Sequence, residues 1–482
     1  MTQAKWIPRR AAVLWGLQLL FLAGGGLLHA LGAGSYNRMV WGNLCLYACL
    51  WIFCACDLRK RLVLLLFSLV LFVFLSCRCV IDIFVGTPWW KEYRQADILF
   101  ALRSVALSLV MLYLGALLYT KAANRKPDSP LLRAKPEKWG LGPAALSLYL
   151  VAMICFLYGE MDKLVFMRGR AYPDIYAFYD PDYPFWIRTA GYCMPYALCA
   201  YLATLPKKRQ AFPVLALYLL SALPALRIGQ RSHIVLNALF VFLYYCLRDG
   251  LKDEQPWLGR WEKRVLLVGI PAACVGLSAV NYLRNGPDSQ DKVVVNLVVD
   301  LFHKQGVSFR TLCLGHGVLP DLPGTKRNFT FGPFIDQILY GRIGRFLFGT
   351  TPLPAGSCAE LAARSHKLAE PLAFVAHPGY LQGHGLGSSY LLELYADFGY
   401  PGIALYSLLL GALLVFCTDA MKGSWLLRTV TLVLFTDLFY IPRAAATDWL
   451  VFLIQPHFWF VILACLLGGR ILRALGARSS VY

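Results

Sequence analysis

The chain has 482 residues, of which 58% are hydrophobic and only 15% are charged, and its mean hydropathy is +0.55. Soluble globular proteins are about half apolar and about a quarter charged, so this composition excludes an ordinary soluble protein and favours one that lies in lipid. The formal net charge is +20, but the basic residues collect in short loops between apolar runs. The positive-inside rule accounts for that surplus better than nucleic-acid binding does, and we expect no nucleic acid among the partners.

A transmembrane helix needs about 20 consecutive apolar residues. Runs of roughly that length predict about twelve spans, two of them short. The sequence therefore predicts an all-α, polytopic integral membrane protein. The predicted spans, in chain order, are 11–31, 39–56, 62–84, 97–119, 140–158, 185–204, 211–226, 233–247, 265–283, 399–417, 425–441 and 449–469.

The loops between these spans alternate in charge. Every second one is basic, and basic loops face the cytoplasm, so we expect both termini inside. The basic segments are the N-terminus, 57–61, 121–138, 207–210, 248–264 and the C-terminal tail. The remaining loops then face outward, the largest of them over 284–398 with nearly balanced charge and apolar pieces typical of short interfacial helices.

This topology divides the chain into four parts. We expect N-terminal transmembrane helices over 1–220 and a pair of transmembrane helices with an outer "GQR" motif over 221–283. The large extracytoplasmic loop then covers 284–398, and further transmembrane helices cover 399–482.

Few sequence features suggest a cofactor. The 15 cysteines lie mostly in apolar runs, with no CxxC pair in a polar loop, which is typical of small buried side chains. Nucleotide-binding and metalloprotease motifs are absent from any suitable setting, and "DPD" at 180–182 is too short to carry a metal site. We therefore expect neither a metal nor another cofactor.

The segment "GHGLGSSYLLELYADFGYPG" (383–402) concentrates polar chemistry directly before a predicted span. Read as a helix, it places Ser389, Glu393 and Asp397 on one face. Two carboxylates one turn apart repel each other, which suits one of them to accept a proton, and His384 is an equally good candidate base. The alternative is an amphipathic interfacial helix whose acidic face is merely solvated.

Cationic side chains recur near the outer ends of the predicted spans. Arg227 and Arg231 follow the seventh span, Arg284 and Lys304 follow the ninth, and Arg443 follows the eleventh. An arginine so close to hydrocarbon either extends its head group to the interface or binds an anion. Several cations on one side of the membrane favour a pyrophosphate, because a guanidinium binds phosphate through two parallel hydrogen bonds.

Five ordered segments resemble the Wzy-type O-antigen and capsular polysaccharide polymerase family over about residues 225–465. They are "GQRSHIVLNALFVFLYYCLRDG", "KQGVSF", "FGPFIDQI", "GHGLGSSYLLELYADFGYPGI" and "FYIPRAAAT". The motif positions are Gly229, Gln230, Arg231, Lys304, Gln305, Gly306, Gly332, Pro333, Asp336, His384, Gly387, Ser388, Ser389, Glu393, Asp397, Gly399 and Arg443.

The resemblance implies a glycosyltransferase of the bacterial cytoplasmic membrane whose active site is extracytoplasmic. Such an enzyme moves a growing glycan from undecaprenyl pyrophosphate to another lipid-linked repeat unit. We expect inversion without a metal, with His384 or Glu393 as the base. The expected pyrophosphate ligands are Arg227, Arg231, Arg284, Lys304 and Arg443, and the expected sugar contacts are Gln305, Asp336, Ser388, Ser389 and Asp397.

The implied partners are the lipid-linked oligosaccharide and membrane lipid, with a chain-length regulator and a flippase of the same pathway. Two alternatives stay open at this point. An O-antigen ligase shares the donor chemistry but delivers the glycan to a different acceptor. A lipid-linked oligosaccharide flippase is the alternative outside enzymes, although such transporters usually carry charges deep within spans and an internal repeat.

Overall fold

The computed structural model describes residues 6–125, 140–251, 256–285, 297–323 and 328–479, and this part of the chain is helical without a strand. Helices satisfy every backbone hydrogen bond within one segment, which lipid requires. The predicted loops 121–138 and 248–264 lie partly outside the described residues. The same holds for residues 286–296 and 324–327 of the predicted large loop.

The first half of the chain forms thirteen α-helices within these bounds. They are α1 (Trp6–Ala30), α2 (Tyr36–Cys56), α3 (Leu58–Leu75), α4 (Cys77–Val85), α5 (Gln95–Arg125), α6 (Leu141–Phe166), α7 (Asp174–Phe178), α8 (Phe185–Tyr192), α9 (Met194–Leu202), α10 (Lys208–Leu220), α11 (Leu223–Ile228), α12 (Arg231–Gly250) and α13 (Arg260–Asn285). Short 3-10 turns cover Leu31–Gly34 and Trp89–Glu92.

The second half begins with short helices and ends with long ones. The helices are α14 (Leu297–Gln305), α15 (Val307–Val318), α16 (Gly332–Tyr340), α17 (Arg342–Phe348), α18 (Ala359–Arg364), α19 (Ala369–Ala376), α20 (Tyr390–Ala420), α21 (Trp425–Asp437) and α22 (Pro456–Ser479). The 3-10 turns are Leu319–Asp321, Tyr380–Gln382, Leu438–Arg443 and Asp448–Ile454.

Eight segments of the described chain are long and apolar enough to cross a membrane, and α3 with α4 makes a ninth if this pair, bent by 51°, is one span. The multi-pass membrane architecture is thus confirmed, whereas the predicted count of twelve is not reached. The eight segments are Ala12–Ala30, Tyr36–Cys56, Gln95–Arg125, Leu141–Phe166, Lys208–Ile228, Tyr390–Ala420, Trp425–Arg443 and Pro456–Leu475.

Three predicted spans account for the difference. The run 185–204 is divided between α8 and α9, with a break at Cys193. The run 233–247 lies in α12, which carries charged residues at both ends, and 265–283 lies in α13, some of whose side chains fall outside the described residues. The first two runs therefore fall short of one long apolar helix, and the described residues do not test the third as a span.

The helices α5 and α20 pack closely against each other. A side chain at Gly115 or Gly411 would collide with a backbone carbonyl of the facing helix. Small residues allow helix backbones to approach in this way, and hydroxyl groups then bond across the interface. The hydroxyl of Ser407 donates to Ser108 Oγ over 2.9 Å, and Ser108 Oγ lies 2.6 Å from the hydroxyl of Tyr390. The start of α20 is therefore fixed against α5.

The helix α20 is not continuous. Gly399 has φ 66° and ψ −158°, a backbone conformation available essentially only to glycine, and Pro401 follows it. The first nine residues, 390–398, therefore point in a different direction from the apolar remainder. The conformation separates a short polar helix from a membrane span and explains why glycine is needed in "DFGYPG".

The 15 cysteines are all free thiols, and only Cys56 is exposed, as the sequence predicts for small buried side chains.

Candidate functional site

The carboxylate of Glu393 joins two sequence motifs at the start of α20. Its Oε1 accepts a hydrogen bond from the hydroxyl of Ser388 over 2.7 Å, and its Oε2 accepts one from the backbone N–H of Ala446 over 2.8 Å. The side chain is fully buried, with 0% exposure. A buried carboxylate with two such donors holds the glycine-rich loop 383–389 against the chain that follows the turn Leu438–Arg443.

Asp397, one turn further along α20, holds a third motif in place. Its two oxygens accept hydrogen bonds from the backbone N–H groups of Phe329 and Thr330, over 3.2 Å and 2.6 Å. The Thr330 carbonyl in turn accepts from the hydroxyl of Thr447 over 2.6 Å. The segments 329–331, 388–397 and 443–447 are thus parts of one hydrogen-bonded unit, although they are distant in sequence.

Asp336 lies close in sequence to the segment 329–331 but bonds to a different part of the chain. It is buried, and it accepts hydrogen bonds from the Ser365 hydroxyl over 2.8 Å and from the backbone N–H of His366 over 3.0 Å. The Nδ1 atom of His366 lies 2.9 Å from the same carboxylate. A side chain at Gly332 would collide with the His366 carbonyl, which explains the glycine of the "FGPF" motif. Asp336 therefore fixes α16 to residues 365–366.

The side chains of two predicted sugar contacts, Ser389 and Gln305, form no hydrogen bond with any residue that the structure describes. Ser389 caps the N-terminus of α20, is fully buried, and its hydroxyl has no hydrogen-bond partner within the described residues. Gln305 is half-buried at the last position of α14. The structure thus separates the predicted sugar contacts into three that brace the chain (Asp336, Ser388 and Asp397) and two with hydrogen-bonding capacity left.

His384 is the accessible titratable group of the glycine-rich loop. Its ring is exposed and stacks on the ring of His377, with centroids 5.4 Å apart and an angle of 10° between the planes. Partial burial lowers the pKa of His377, and the neighbouring His384 and Arg310 lower it further. The loop is also anchored through its backbone, because the N–H of His384 donates to the Gly379 carbonyl over 3.1 Å.

The tyrosine-rich segment that contains α7 packs against this loop. Gly383 has φ 84°, and a side chain there would collide with the Pro173 carbonyl. On the same short helix the hydroxyl of Tyr176 accepts a hydrogen bond from Gln230 Nε2 over 3.2 Å. The "GQR" motif is therefore connected to the glycine-rich loop through α7. Arg227 and Arg231 flank Gln230, and the Arg227 side chain is exposed.

Arg443 lies directly beside the glycine-rich loop. A side chain at Gly387, where φ is 74°, would lie 3.4 Å from the Arg443 carbonyl oxygen and 4.0 Å from its Cγ. Arg443 is half-buried, and it forms no ion pair with any residue that the structure describes. A partly buried guanidinium without a counter-ion is a suitable place for an anion.

The other predicted cations are placed differently. Lys304 is engaged in an ion pair with Asp300, one turn earlier on α14, over 2.9 Å. That helix packs against α4 and α13. Arg284 lies in the last turn of α13, and its side chain falls outside the described residues. Of the five predicted pyrophosphate ligands, Arg443 therefore lies directly beside the loop, and Arg227 and Arg231 are connected to it through Gln230.

Sequence reasoning missed Arg310. The hydroxyl of Thr311 donates to the Leu386 carbonyl over 3.1 Å, which places α15 against the glycine-rich loop. Arg310 precedes it, is exposed, and is close enough to lower the pKa of His377. Arg310 directly follows the "KQGVSF" motif, and this position in the sequence could have identified it as a candidate site residue.

The chain was also compared with known proteins. The family model for the O-antigen polysaccharide polymerase Wzy matches residues 17–473, so the match extends well before residue 225, where the sequence resemblance begins. Neither a curated protein nor a solved structure matches the chain. Because one family model covers nearly the whole of this multi-pass, helical chain, the protein belongs to the O-antigen polysaccharide polymerase Wzy family.

Proposed function

We propose that the protein polymerises lipid-linked oligosaccharide repeat units into a surface polysaccharide by inverting, metal-independent glycosyl transfer. The observation that carries this proposal is the loop 383–389. It presents an exposed histidine and adjoins Arg443, a guanidinium without a described counter-ion. The loop leads through residues 390–398 into the membrane-spanning part of α20, which suits its reactive groups to a lipid pyrophosphate at the membrane surface.

The reaction follows from these groups. A hydroxyl of the acceptor sugar attacks the anomeric carbon of the donor sugar from the face opposite the pyrophosphate. The new glycosidic bond forms as the bond between that carbon and the phosphate oxygen breaks, and undecaprenyl pyrophosphate leaves with the bonding electrons. His384 takes the proton of the attacking hydroxyl. The pyrophosphate is already an activated leaving group, so no nucleotide is required.

The cationic side chains act where negative charge develops. We assign Arg443 to the leaving pyrophosphate, with Arg231 and Arg227 contributing from the "GQR" side and Arg284 and Lys304 from α13 and α14. Donors that are fixed in advance at such a position stabilise the transition state without reorganisation during the reaction. A guanidinium is better suited than an ammonium, because it can bind two phosphate oxygens at once.

His384 and Glu393 receive different roles. Both carboxylate oxygens of Glu393 already accept hydrogen bonds, and the group is sealed from solvent, so it is poorly placed to meet a sugar hydroxyl. We assign it to positioning the loop on which His384 lies. Ser388, Asp397 and Asp336 support that loop and the segments around it. Ser389 is as fully buried as Glu393, so we assign it to the start of α20, and the half-buried Gln305 remains for sugar hydroxyls.

We further propose that the active site is extracytoplasmic and that both termini are cytoplasmic, in a bacterial cytoplasmic membrane. The support is the alternation of basic and neutral loops along the chain, which requires the apolar runs 185–204, 233–247 and 265–283 to cross the membrane as well. In this orientation the enzyme receives repeat units after a flippase has moved them outward, and a chain-length regulator would act on the same face.

The decisive experiment incubates purified full-length protein with a synthetic undecaprenyl-pyrophosphate-linked repeat unit and separates the products by size. We expect a ladder of lengths in the presence of EDTA, and no visible ladder from the His384→Ala variant within the time in which the wild type forms one. A single addition to a different acceptor would identify a ligase. Movement of intact substrate across a vesicle membrane without any new glycosidic bond would identify a flippase.

A further inference from the structure

A cavity with both charged and aromatic side chains in its lining lies beside the start of α15. Its volume is about 130 Å³, and it opens between α4, the turn Trp89–Glu92 and the start of α15. The bend of 51° between α3 and α4 turns α4 toward α14, and these two helices form its wall. An engineered cavity of about 150 Å³ holds a benzene ring, so this space accepts a group of about that size, which is part of one sugar ring and not an oligosaccharide.

The wall of the cavity contains a buried aspartate, Asp82, that lies close to both a histidine and an arginine. The carboxylate of Asp82 lies 2.8 Å from His303 Nε2 and 3.9 Å from Arg78 Nε, and both Asp82 and His303 are buried. Gly306 of the "KQG" motif lets α14 approach Arg78, since a side chain there would lie 2.5 Å from the Arg78 Cβ. The motif thus shapes this cavity.

The rim carries two exposed charges that belong to no ion pair among the described residues. Glu92 and Arg310 both line the cavity, and neither side chain contacts an opposite charge at ion-pair distance. The charge of Arg310 also lowers the pKa of His377, which stacks on His384. One arginine therefore borders both the cavity and the candidate active site.

The lining indicates the chemical class of the occupant. The lining contains two guanidinium groups, of Arg78 and Arg310, and two carboxylates, of Asp82 and Glu92. The charges balance, so a phosphate would be repelled by the carboxylates as well as attracted by the arginines. A purely apolar group would leave these polar side chains without partners. A sugar ring fits better, because each of its hydroxyls both donates and accepts hydrogen bonds, and the indole of Trp89 adds an apolar surface.

We infer that this cavity is a second glycan-binding subsite, which holds one sugar residue of the repeat unit at a distance from the bond that is formed. The inference rests on the proposed function, because it assigns the cavity to the same substrate. A subsite of this kind aligns the chain through a residue that does not react, and it makes binding depend on sugars beyond the reacting pair.

The test measures binding apart from catalysis. Full-length protein in lipid nanodiscs is titrated calorimetrically with delipidated oligosaccharides of one and two repeat units, released from the organism's own surface polysaccharide. We expect Glu92→Gln and Arg310→Gln each to weaken binding roughly tenfold or more, because each removes a charged hydrogen-bonding group. Lys91→Gln, which changes the exposed neighbour of Glu92 outside the cavity, is the matched control and should bind normally.

The outcomes separate this inference from the proposed function. A wild-type protein that forms a ladder from lipid-linked substrate, with both variants binding oligosaccharide normally, would overturn the subsite alone. Variants that lose affinity for inorganic pyrophosphate but keep affinity for oligosaccharide would make the cavity an anion site and overturn the inference as well. Failure of the wild-type protein to elongate any lipid-linked substrate would instead refute the polymerase assignment.

Discussion

The buried carboxylate of Glu393 accepts a hydrogen bond from the backbone N–H of Ala446, which lies 53 residues later in the chain. The bond connects the polar start of α20 to the segment after Arg443, and it leaves the carboxylate without access to solvent. A carboxylate in this position is suited to holding the site together and is poorly placed to exchange a proton with a substrate.

Substitution of Glu393 distinguishes a positioning role from a catalytic one. Glu393→Gln keeps an oxygen for Ala446 N–H, and its amide can donate to Ser388, so we expect activity within about tenfold of wild type. Glu393→Ala leaves two buried partners unsatisfied, which costs about 1–3 kcal/mol of unfolding free energy for each. Polymer formation and thermal unfolding in detergent measure both effects. A loss of 10²- to 10⁴-fold in Glu393→Gln, with normal stability, would make Glu393 the base.

Removal of the imidazole at position 384 tests the base directly. We expect His384→Ala to lower the rate by roughly 10²- to 10⁴-fold, the usual contribution of a positioned base, while lipid-linked substrate still binds. His377→Ala is the matched control, because it removes the stacking partner and leaves His384 in place. Its rate should fall much less. Equal losses of rate in the two variants would mean that activity depends on the stacked pair, which would contradict the assignment of His384 alone as the base.

Acid should destabilise the folded protein through His377. Its pKa in the folded state lies below the ordinary value of 6.5, chiefly through burial. Between the folded and unfolded pKa values the unfolded chain therefore binds more protons, so stability falls as pH drops through about 6.5 and levels off below the folded pKa. The fall in unfolding temperature between pH 7.5 and pH 5.5 should be smaller in His377→Gln than in wild type. An unchanged difference would exclude His377 as its source.

Replacement of arginine by lysine tests the pyrophosphate assignment. Arg443→Lys and Arg231→Lys keep the positive charge but lose two-pronged phosphate binding, so we expect each to lose most activity while folding normally. Arg364→Lys is a suitable control, since Arg364 is bound to Glu360 on α18. Polymer yields are compared on gels at equal protein levels. Near-normal polymer from Arg443→Lys and Arg231→Lys would show that these side chains only reach the membrane interface.

The orientation in the membrane is tested by labelling introduced cysteines with an impermeant reagent on intact cells. Thr351 and Lys422 are both well exposed, and our topology places them on opposite sides. Thr351→Cys should react and Lys422→Cys should react only after lysis, with the unsubstituted chain as the background. The reverse pattern would invert the whole topology.

The sequence predicted the helical class, most of the spans and the location of the polar chemistry, because apolar run length and loop charge are local properties. It also predicted Ser389, Glu393 and Asp397 on one helical face, but not what that face contacts. The partners Ala446, Phe329 and Thr330 lie far away in the chain, and no local pattern encodes such a pairing. The sequence therefore predicted an acidic face that is either solvated or catalytic. In the structure, Glu393 is buried, and the carboxylates of both Glu393 and Asp397 accept hydrogen bonds from the chain.

The break at Gly399 has a mechanical consequence. Above it, residues 390–398 are tied by Glu393 and Asp397 to the polar layer, and below it the same helix is packed on α5 within the apolar region. Ser108 of α5 bonds to Tyr390 above the break and to Ser407 below it, so both parts are held to the same helix. Gly399 therefore sets a fixed bend, and a helix straightened at this position could not keep its contacts with α5 and with the polar layer at the same time.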